Sequence, residues 1–584
     1  MDLSMRVSPE DLQVIDDDLK ALEESTRSLK RSRNALAPIS RVSPEIRGII
    51  FSFLPSPKEY EELHTGRRQD DLAWLYVSHV CHDWRRILLN QPRFWSRIDF
   101  TTLTLAGATQ VLSRSKVAPL ELEANLSDVY WSRSRKDAFG KQLVAHISHT
   151  SRLSITANST TLKMIFDKLV FPAPVLESLS VIVENISSGV VRTHAKTVLP
   201  TALFDGAAPR LSRLELHRCN ISWTSPLLKN LRILELRSLS GPARPSPEEW
   251  LNAMDQMLQL ETLIAYSATP SPRDTSVPES TLVITHNSLT QLHLAATASD
   301  CTFALAHLIL PSLSKVRIDV TSESPKGDDV RALIPYFSRN AHGPQDAEPL
   351  QSILINGEPF LTEIVAWTVP DADAEVQDLE TLISAAGSAR AVFTATGGIW
   401  RHGTKMKILD ATLAALPLGS LKTLSARNAF RFPERLWLAH APRWPLIESV
   451  RLVDSPARES FASALLKDTP PEGPLFPALT KLSLLDTAFD GSDARDLQVV
   501  LAVRIEQGVP LKAVNAWAWI LSDSVVRLLG EMVADVQGGK IHLSRAPRSW
   551  PTLTFGCRDS DIIGGPFEAS DDSDEDEDDF DVED

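Results

Sequence analysis

Apolar positions in this chain follow one period at the start and a different one through most of its length. Leu12, Ile15, Leu19, Leu22, Thr26, Leu29, Arg33 and Leu36 are spaced by alternating steps of three and four, which predicts a helix with a coiled-coil-like seam. Thr26 and Arg33 are polar faults in that seam and argue against self-association, so the chain is expected as a monomer. Between residues 37 and 100 the apolar stripes are shorter. Ser43 is a good N-cap, Pro44 suits the first helical position, and Ile46, Ile49, Ile50, Phe51 and Leu54 recur at helical spacing until Pro55. A second block runs through Leu72, Leu75, Val77, Val80 and Cys81 to Trp84, Ile87 and Leu88, before Pro92 and Trp95.

After Phe100 the pattern alternates between a helical segment and a short strand. Helices are predicted over 103–115, 134–146, 162–170, 328–338, 374–386, 405–416, 457–466, 493–506 and 524–536. Another begins at Ser246, where Pro247 and Glu249 complete a capping box. The strands share an L-x-x-L-x-L shape at Leu211, Leu231, Leu289, Leu313, Leu350, Ile447 and Leu479, and more loosely at Leu176, Leu421 and Leu511. Each unit has one apolar face that only a neighbour can cover, so stacking builds a continuous core. The fold class expected is α/β: a helical start, then an irregular solenoid with parallel strands on the concave face and helices on the convex face. A conventional pair of α/β domains is the alternative.

The composition is that of a folded chain, with 584 residues of which 43% are hydrophobic. The net charge of −15 is concentrated at one end, because Asp571 to Asp584 carry eleven acidic and no basic residues, leaving −4 for the rest. That tail is expected to stay disordered. The remaining balance is not that of a nucleic-acid binder. No run approaches the ~18 apolar residues that cross a bilayer. Cys81, Cys219, Cys301 and Cys557 form no close pair, which points to reduced thiols and a cytoplasmic or nuclear chain. The expected divisions are a leading helix at 1–36, a helical domain at 37–100, the array at 101–560 and the tail at 561–584.

The stretch from Pro38 to Phe100 resembles an F-box of the large fungal F-box families. The motifs that carry this are P-E-I, I-I-F and F-L-P, then V-S-H-V-C-x-x-W and P-x-F-W-S-x-I-D-F. The start departs from the family, with Val42 and Ser43 where Leu-Pro is usual. The resemblance implies docking on a Skp-family adaptor, and through it a cullin scaffold, by Val42, Pro44, Glu45, Ile46, Ile49, Ile50, Leu54, Val77, Val80 and Trp84. The array also resembles degenerate leucine-rich repeats, most closely at LSRLELHRCNI from Leu211, where Cys219 takes a buried turn position. Together these imply a substrate-recognition subunit of a cullin-type ubiquitin ligase. A scaffold without a ligase role is the alternative.

No local signature of catalysis is present: no phosphate-binding glycine loop, no H-E-x-x-H and no G-x-S-x-G. The chain is therefore expected not to be an enzyme and to need no cofactor or metal. In the L-x-x-L-x-L strands, the residues alternating with the leucines face the opposite side of the sheet. Arg213, Glu215, His217, Glu235, Arg237, Gln291, His293, Lys315, Arg317, Asp319, Arg451 and Lys481 fall there. Basic residues outnumber acidic ones in this set. One reading is a basic surface that captures an acidic segment of an unidentified protein substrate, with Arg213, Glu215, His217, Arg237, His293, Lys315 and Arg317 as contacts. The other is an ordinary solvated sheet face.

Overall fold

The computed structural model describes residues 9–545, apart from 54–72, 102, 128–130, 185–196, 238–243, 271–282, 323, 325, 342, 345–346, 359–360, 371–386, 397–401, 428–431, 454–456, 468–472, 486–490 and 519–539. Ahead of the sheet the described residues are helical. They form α1 (Pro9–Ala35), α2 (Pro44–Ser52) and α3 (His82–Asn90), with 3-10 turns at Pro38–Arg41, Ala73–His79 and Pro92–Trp95. The Ser43 hydroxyl accepts from the Ile46 amide and Pro44 opens α2, as the cap chemistry requires. Phe51, Ile87 and Leu88 make a small core, with Val77, Trp84 and Phe94 packed on it. Phe94 also packs against the main core, so one ring joins the helical region to the array.

The sheet begins with β1 (Arg97–Asp99), β2 (Leu120–Asn125), β3 (Thr150–Ala157) and β4 (Ser178–Val183). A short side pairing joins β5 (Thr197–Val198) to β7 (Cys219–Asn220), on either side of β6 (Arg213–His217). There follow β8 (Ile233–Arg237), β9 (Thr262–Tyr266), β11 (Gln291–Thr297) and β13 (Lys315–Thr321), with a second side pairing of β10 (Ile284–Thr285) to β12 (Leu308–Ile309). Then come β14 (Ser352–Glu358), β15 (Leu361–Trp367), β16 (Ala391–Thr396), β17 (Thr423–Arg427), β18 (Ser449–Val453), β19 (Lys481–Leu485), β20 (Ala513–Ala518) and β21 (Lys540–Arg545). Seventeen of these strands form one sheet, so the chain is a mixed α/β protein built on a long, largely parallel sheet.

Register explains the repeat. Leu214, Leu234, Leu263, Leu292 and Val316 lie side by side across β6, β8, β9, β11 and β13, and Leu216, Leu236, Ala265, Leu294 and Ile318 form the next row. All ten are buried. The helices along the array are α4 (Leu105–Ser115), α5 (Arg133–His146), α6 (Ser159–Phe166), α7 (Pro247–Gln256), α8 (Ala298–Ala306), α9 (Asp328–Ala341), α10 (His402–Ala415), α11 (Glu434–His440), α12 (Ala457–Leu466) and α13 (Gly491–Glu506). Side-chain caps start several of them: Thr104 for α4, Ser132 for α5, Asn158 for α6, and the Ser246–Glu249 capping box for α7. Arginines bind successive units together. Arg135 donates to Leu103 O (2.7 Å), Arg339 to Leu305 O and Leu308 O (2.7 and 2.8 Å), and Arg443 to Ala414 O (2.6 Å). Each reaches about thirty residues back, and two of these arginines satisfy the orphan carbonyls at the ends of α8 and α10.

The expectation of a uniformly parallel array needs correction in one place. β13 pairs with β16, not β14; β16 and β14 flank β15, which is antiparallel to both; and β14 then pairs with β17. Three strands thus run back along the array before it resumes. The cause is local: Glu358 pairs with Leu361 only three positions later, a separation too short for a parallel crossover, so β15 must run antiparallel to β14. The crossovers α9 and α10, each spanning the reversed strands, pack on each other, and the Ser338 hydroxyl donates to the Ala415 carbonyl. Gly327 leads into α9 at φ +64°, where a Cβ would meet Ile408 Cδ1 at 2.8 Å. Only glycine fits that turn without strain.

Two helices, α8 and α11, were not anticipated. α8 follows β11 without a loop, and Thr297 both ends the strand and caps the helix through the Asp300 amide. The segments expected to be helical at 374–386 and 524–536 and the acidic tail lie outside the described residues, as do Leu54 and Cys557.

Candidate functional site

Two surfaces carry the residues singled out from the sequence. The first is α2 and the turn Ala73–His79. Arg47, Gly48 and Phe51 turn α2's inner face to the small core, where Phe51 and Trp84 rings lie 4.7 Å apart. On the other face Ile46, Ile49, Ile50 and Phe53 are 48%, 53%, 43% and 80% exposed. Their spacing of three, one and three puts all four on one stripe. Tyr76 in the turn and Val80 just after it are also exposed, at 65% and 60%. Single exposed leucines are common, but this many large apolar groups on neighbouring elements is the usual mark of a docking surface.

The structure therefore divides the ten residues implied for adaptor docking. Ile46, Ile49, Ile50 and Val80 point outward, Pro44 and Glu45 are exposed at the head of α2, and Val42 is half-buried before it. The Glu45 carboxyl is held below its usual range by its backbone hydrogen bond and the Ser43 hydroxyl. Val77 and Trp84 are half-buried against Phe51, Ile87 and Leu88; they hold the helices together. Phe53 and Tyr76 were missed, although Phe53 falls seven residues after Ile46 and so on the same stripe.

The second surface is the sheet face opposite the main core. Across β6, β8, β9, β11 and β13 its polar side chains form an Arg213–Glu215 pair and a connected chain from His217 to Arg317. Arg213 Nε donates to Glu215 (2.6 Å), His217 Nε2 lies 3.4 Å from Glu235, and Arg237 is paired with Glu235. The Arg237 guanidinium sits 4.6 Å over the Tyr266 ring. Tyr266 OH meets His293 Nδ1 at 3.2 Å, and His293 Nε2 and Arg317 Nε both reach Asp319 Oδ2, at 2.7 and 2.9 Å. Parallel register brings this about, since Glu215, Glu235, His293 and Arg317 share one row with Ile264 among them.

These contacts set the electrostatics. The His217 hydrogen bond, followed by Arg237, outweighs burial and brings the Glu235 carboxyl down to about 2. Burial pulls the Asp319 carboxyl up, but His293 and Arg317 together hold it below the usual range. Burial likewise raises the Tyr266 hydroxyl. The reading of this face as a basic field must be revised, because Arg213, Arg237 and Arg317 each lie against a carboxylate two residues away. Lys315 is exposed and donates to the Gly387 carbonyl at 3.4 Å. Tyr266 was missed by the sequence reading; the β8–β9 register places it beside Arg237. Farther along, Leu354, Val365, Trp367, Ala389 and Val392 form a separate small buried cluster. Leu354, Val365 and Val392 stand opposite one another on β14, β15 and β16.

What the fold defines is a repeat-like α/β sheet with a helical head. No protein-family model and no curated protein matches the chain. Among solved structures, "Crystal structure of Rad7 and Elc1 complex in yeast" is similar over 86% of this chain and 92% of that one, at 12% identity and a TM-score of 0.22. A likeness of that size carries no argument about this chain.

Proposed function

We propose that this chain is a non-catalytic substrate receptor of a cullin-type ubiquitin ligase. It docks on a Skp-family adaptor through the outer face of α2 and the neighbouring turn, and it holds a protein substrate on the polar sheet face. The observation that carries this reading is the stripe of Ile46, Ile49, Ile50 and Phe53, exposed on a helix whose other face is packed. The contribution to ubiquitin transfer is effective concentration: a bound lysine is kept near the ligase's charged conjugating enzyme.

Co-expression with a Skp-family adaptor tests it. The wild-type chain should recover the adaptor, and Ile49→Asp with Ile50→Asp should lose it while thermal unfolding stays unchanged, since both side chains already face solvent. Adaptor recovery unaffected by the double substitution would overturn the reading. A wild-type chain that folds and recovers no adaptor would favour a scaffold whose helical head serves as a cap. One feature supports that second reading: Phe94 packs on both cores and β1 is the first strand of the sheet.

A further inference from the structure

The leading helix α1 has no packed face. Every described side chain from Leu12 to Arg33 is exposed, and the seam residues Leu12, Ile15, Leu19, Leu22, Leu29 and Leu36 range from 52% to 78%. Seven turns of helix with an apolar stripe in water call for a partner. We propose that α1 pairs with α1 of a second copy of this chain, in antiparallel orientation.

Charge selects both the occupant and the direction. Through Glu24 the helix carries seven acidic residues and one lysine; from Ser25 to Leu36 it carries four basic residues and no acidic one. Two copies running in opposite directions set each acidic half on a basic half. The heptad makes this specific. With Leu12, Leu19, Thr26 and Arg33 at a, and Ile15, Leu22, Leu29 and Leu36 at d, antiparallel packing matches a with d. Leu12 then meets Leu36, Leu19 meets Leu29, Leu22 meets Thr26, and Arg33 meets Ile15 one residue from the second copy's Asp16. The two faults in the seam no longer stack on themselves, as Arg33 on Arg33 would in a parallel pair.

The flanking charges agree. Lys20, Glu23, Glu24, Arg27 and Arg31 are engaged in ion pairs within α1, whereas Asp16 and Lys30 make none among the described residues. Both are at e, and antiparallel packing sets Asp16 of each copy against Lys30 of the other; it also sets Glu23 on Glu23, where each carboxylate keeps its own helix's Arg27. A parallel pair would instead place Asp18 beside Glu23, both acidic. Antiparallel pairing also puts the two folded bodies at opposite ends of a rod of about 40 Å, whereas a parallel pair would bring both to the same end.

Sedimentation of the full chain at low salt, from 1 to about 100 μM, should show the mass rising from 64.5 kDa toward twice that value. Leu19→Ser with Leu29→Ser should weaken the dimer at least about tenfold without touching the fold, because both positions face solvent. Lys30→Asp should weaken it about fivefold, and adding Asp16→Lys should restore it. Ser25 lies at g, and only antiparallel packing brings it opposite itself. In a Cys81→Ser, Cys557→Ser background, Ser25→Cys should therefore form a disulfide-linked dimer on mild oxidation. A chain monomeric at 100 μM, or a dimer indifferent to the serine pair, overturns the proposal. A dimer that Ser25→Cys does not cross-link and Asp16→Lys does not rescue overturns the antiparallel arrangement.

Discussion

Replacing Glu235 with glutamine separates what its charge does from what its shape does. The carboxylate is 11% exposed, lies 3.4 Å from His217 Nε2 and is paired with Arg237. Its pKa falls from 4.5 to about 2, with the His217 hydrogen bond the largest cause. At 1.36 kcal/mol for each pH unit, that displacement amounts to about 3 kcal/mol of stability, and little is lost to solvent screening at such low exposure. Because the folded value is the depressed one, the contribution is complete above about pH 4.5 and is lost as the pH falls through about 2. By pH 3.5 about 1.4 kcal/mol of it has gone. Glu235→Gln should therefore destabilise the sheet by about 2–3 kcal/mol at pH 7, and the gap to wild type should shrink by about 1.4 kcal/mol at pH 3.5. A repeat array need not unfold in one step, so the measurement is amide hydrogen exchange of β6, β8 and β9 in both proteins at both pH values. A gap of the same size at pH 7 and pH 3.5 would refute the electrostatic account and assign the loss to packing.

Arg504 offers a second test, at the other end of the array. It is buried at 1% exposure and donates to the carbonyls of Leu475, Phe476 and Leu479 at 2.9, 3.0 and 3.4 Å. These lie in a turn where Phe476 adopts φ +50°, a conformation disfavoured for a side chain of that size. Burial brings the guanidinium down to about 10, so it stays charged at neutral pH. Arg504→Met should cost about 3–5 kcal/mol, seen as lost exchange protection in β18 and β19; protection within 1 kcal/mol of wild type would contradict this role. The thiols should differ in reactivity: burial pushes Cys219 up to about 12 and raises Cys301 further, while Cys81 is half-exposed. A thiol reagent on the native chain should label Cys81 and spare Cys219 and Cys301; labelling of Cys301 at the rate of Cys81 would count against the packing described for α8.

Local structure was legible where a single element decides it. Ser43-Pro44 and Ser246-Pro247 announced helix starts, and the leucines from Leu211 to Leu484 announced the buried rows, because caps and periodicity act over a few residues. The reversed strands were not legible. Ile364, Val365, Ala366 and Trp367 form a short apolar run like that of many strands, and nothing in that run says whether β13 will find β14 or β16 as its neighbour. The charged face failed for a related reason. Arg237 and Glu235 can be counted from the sequence, but only register shows His217 and Tyr266 completing their surroundings. At α2 the motif identified the right helix, while the division between outward Ile49 and inward Trp84 had to wait for the packing.

The reversal between β13 and β17 bears on how the chain folds. In a plain solenoid each strand finds its neighbour within one unit, so order can spread from any point and a unit can be gained or lost in evolution. Here β13 must wait for β16, about 75 residues later, and loop closure over that distance comes before any reward in contacts. The block from β13 to β17, locked by its two crossing helices, is expected to order as one cooperative event. It divides the array into two modular arms joined by a segment from which no single strand can be removed.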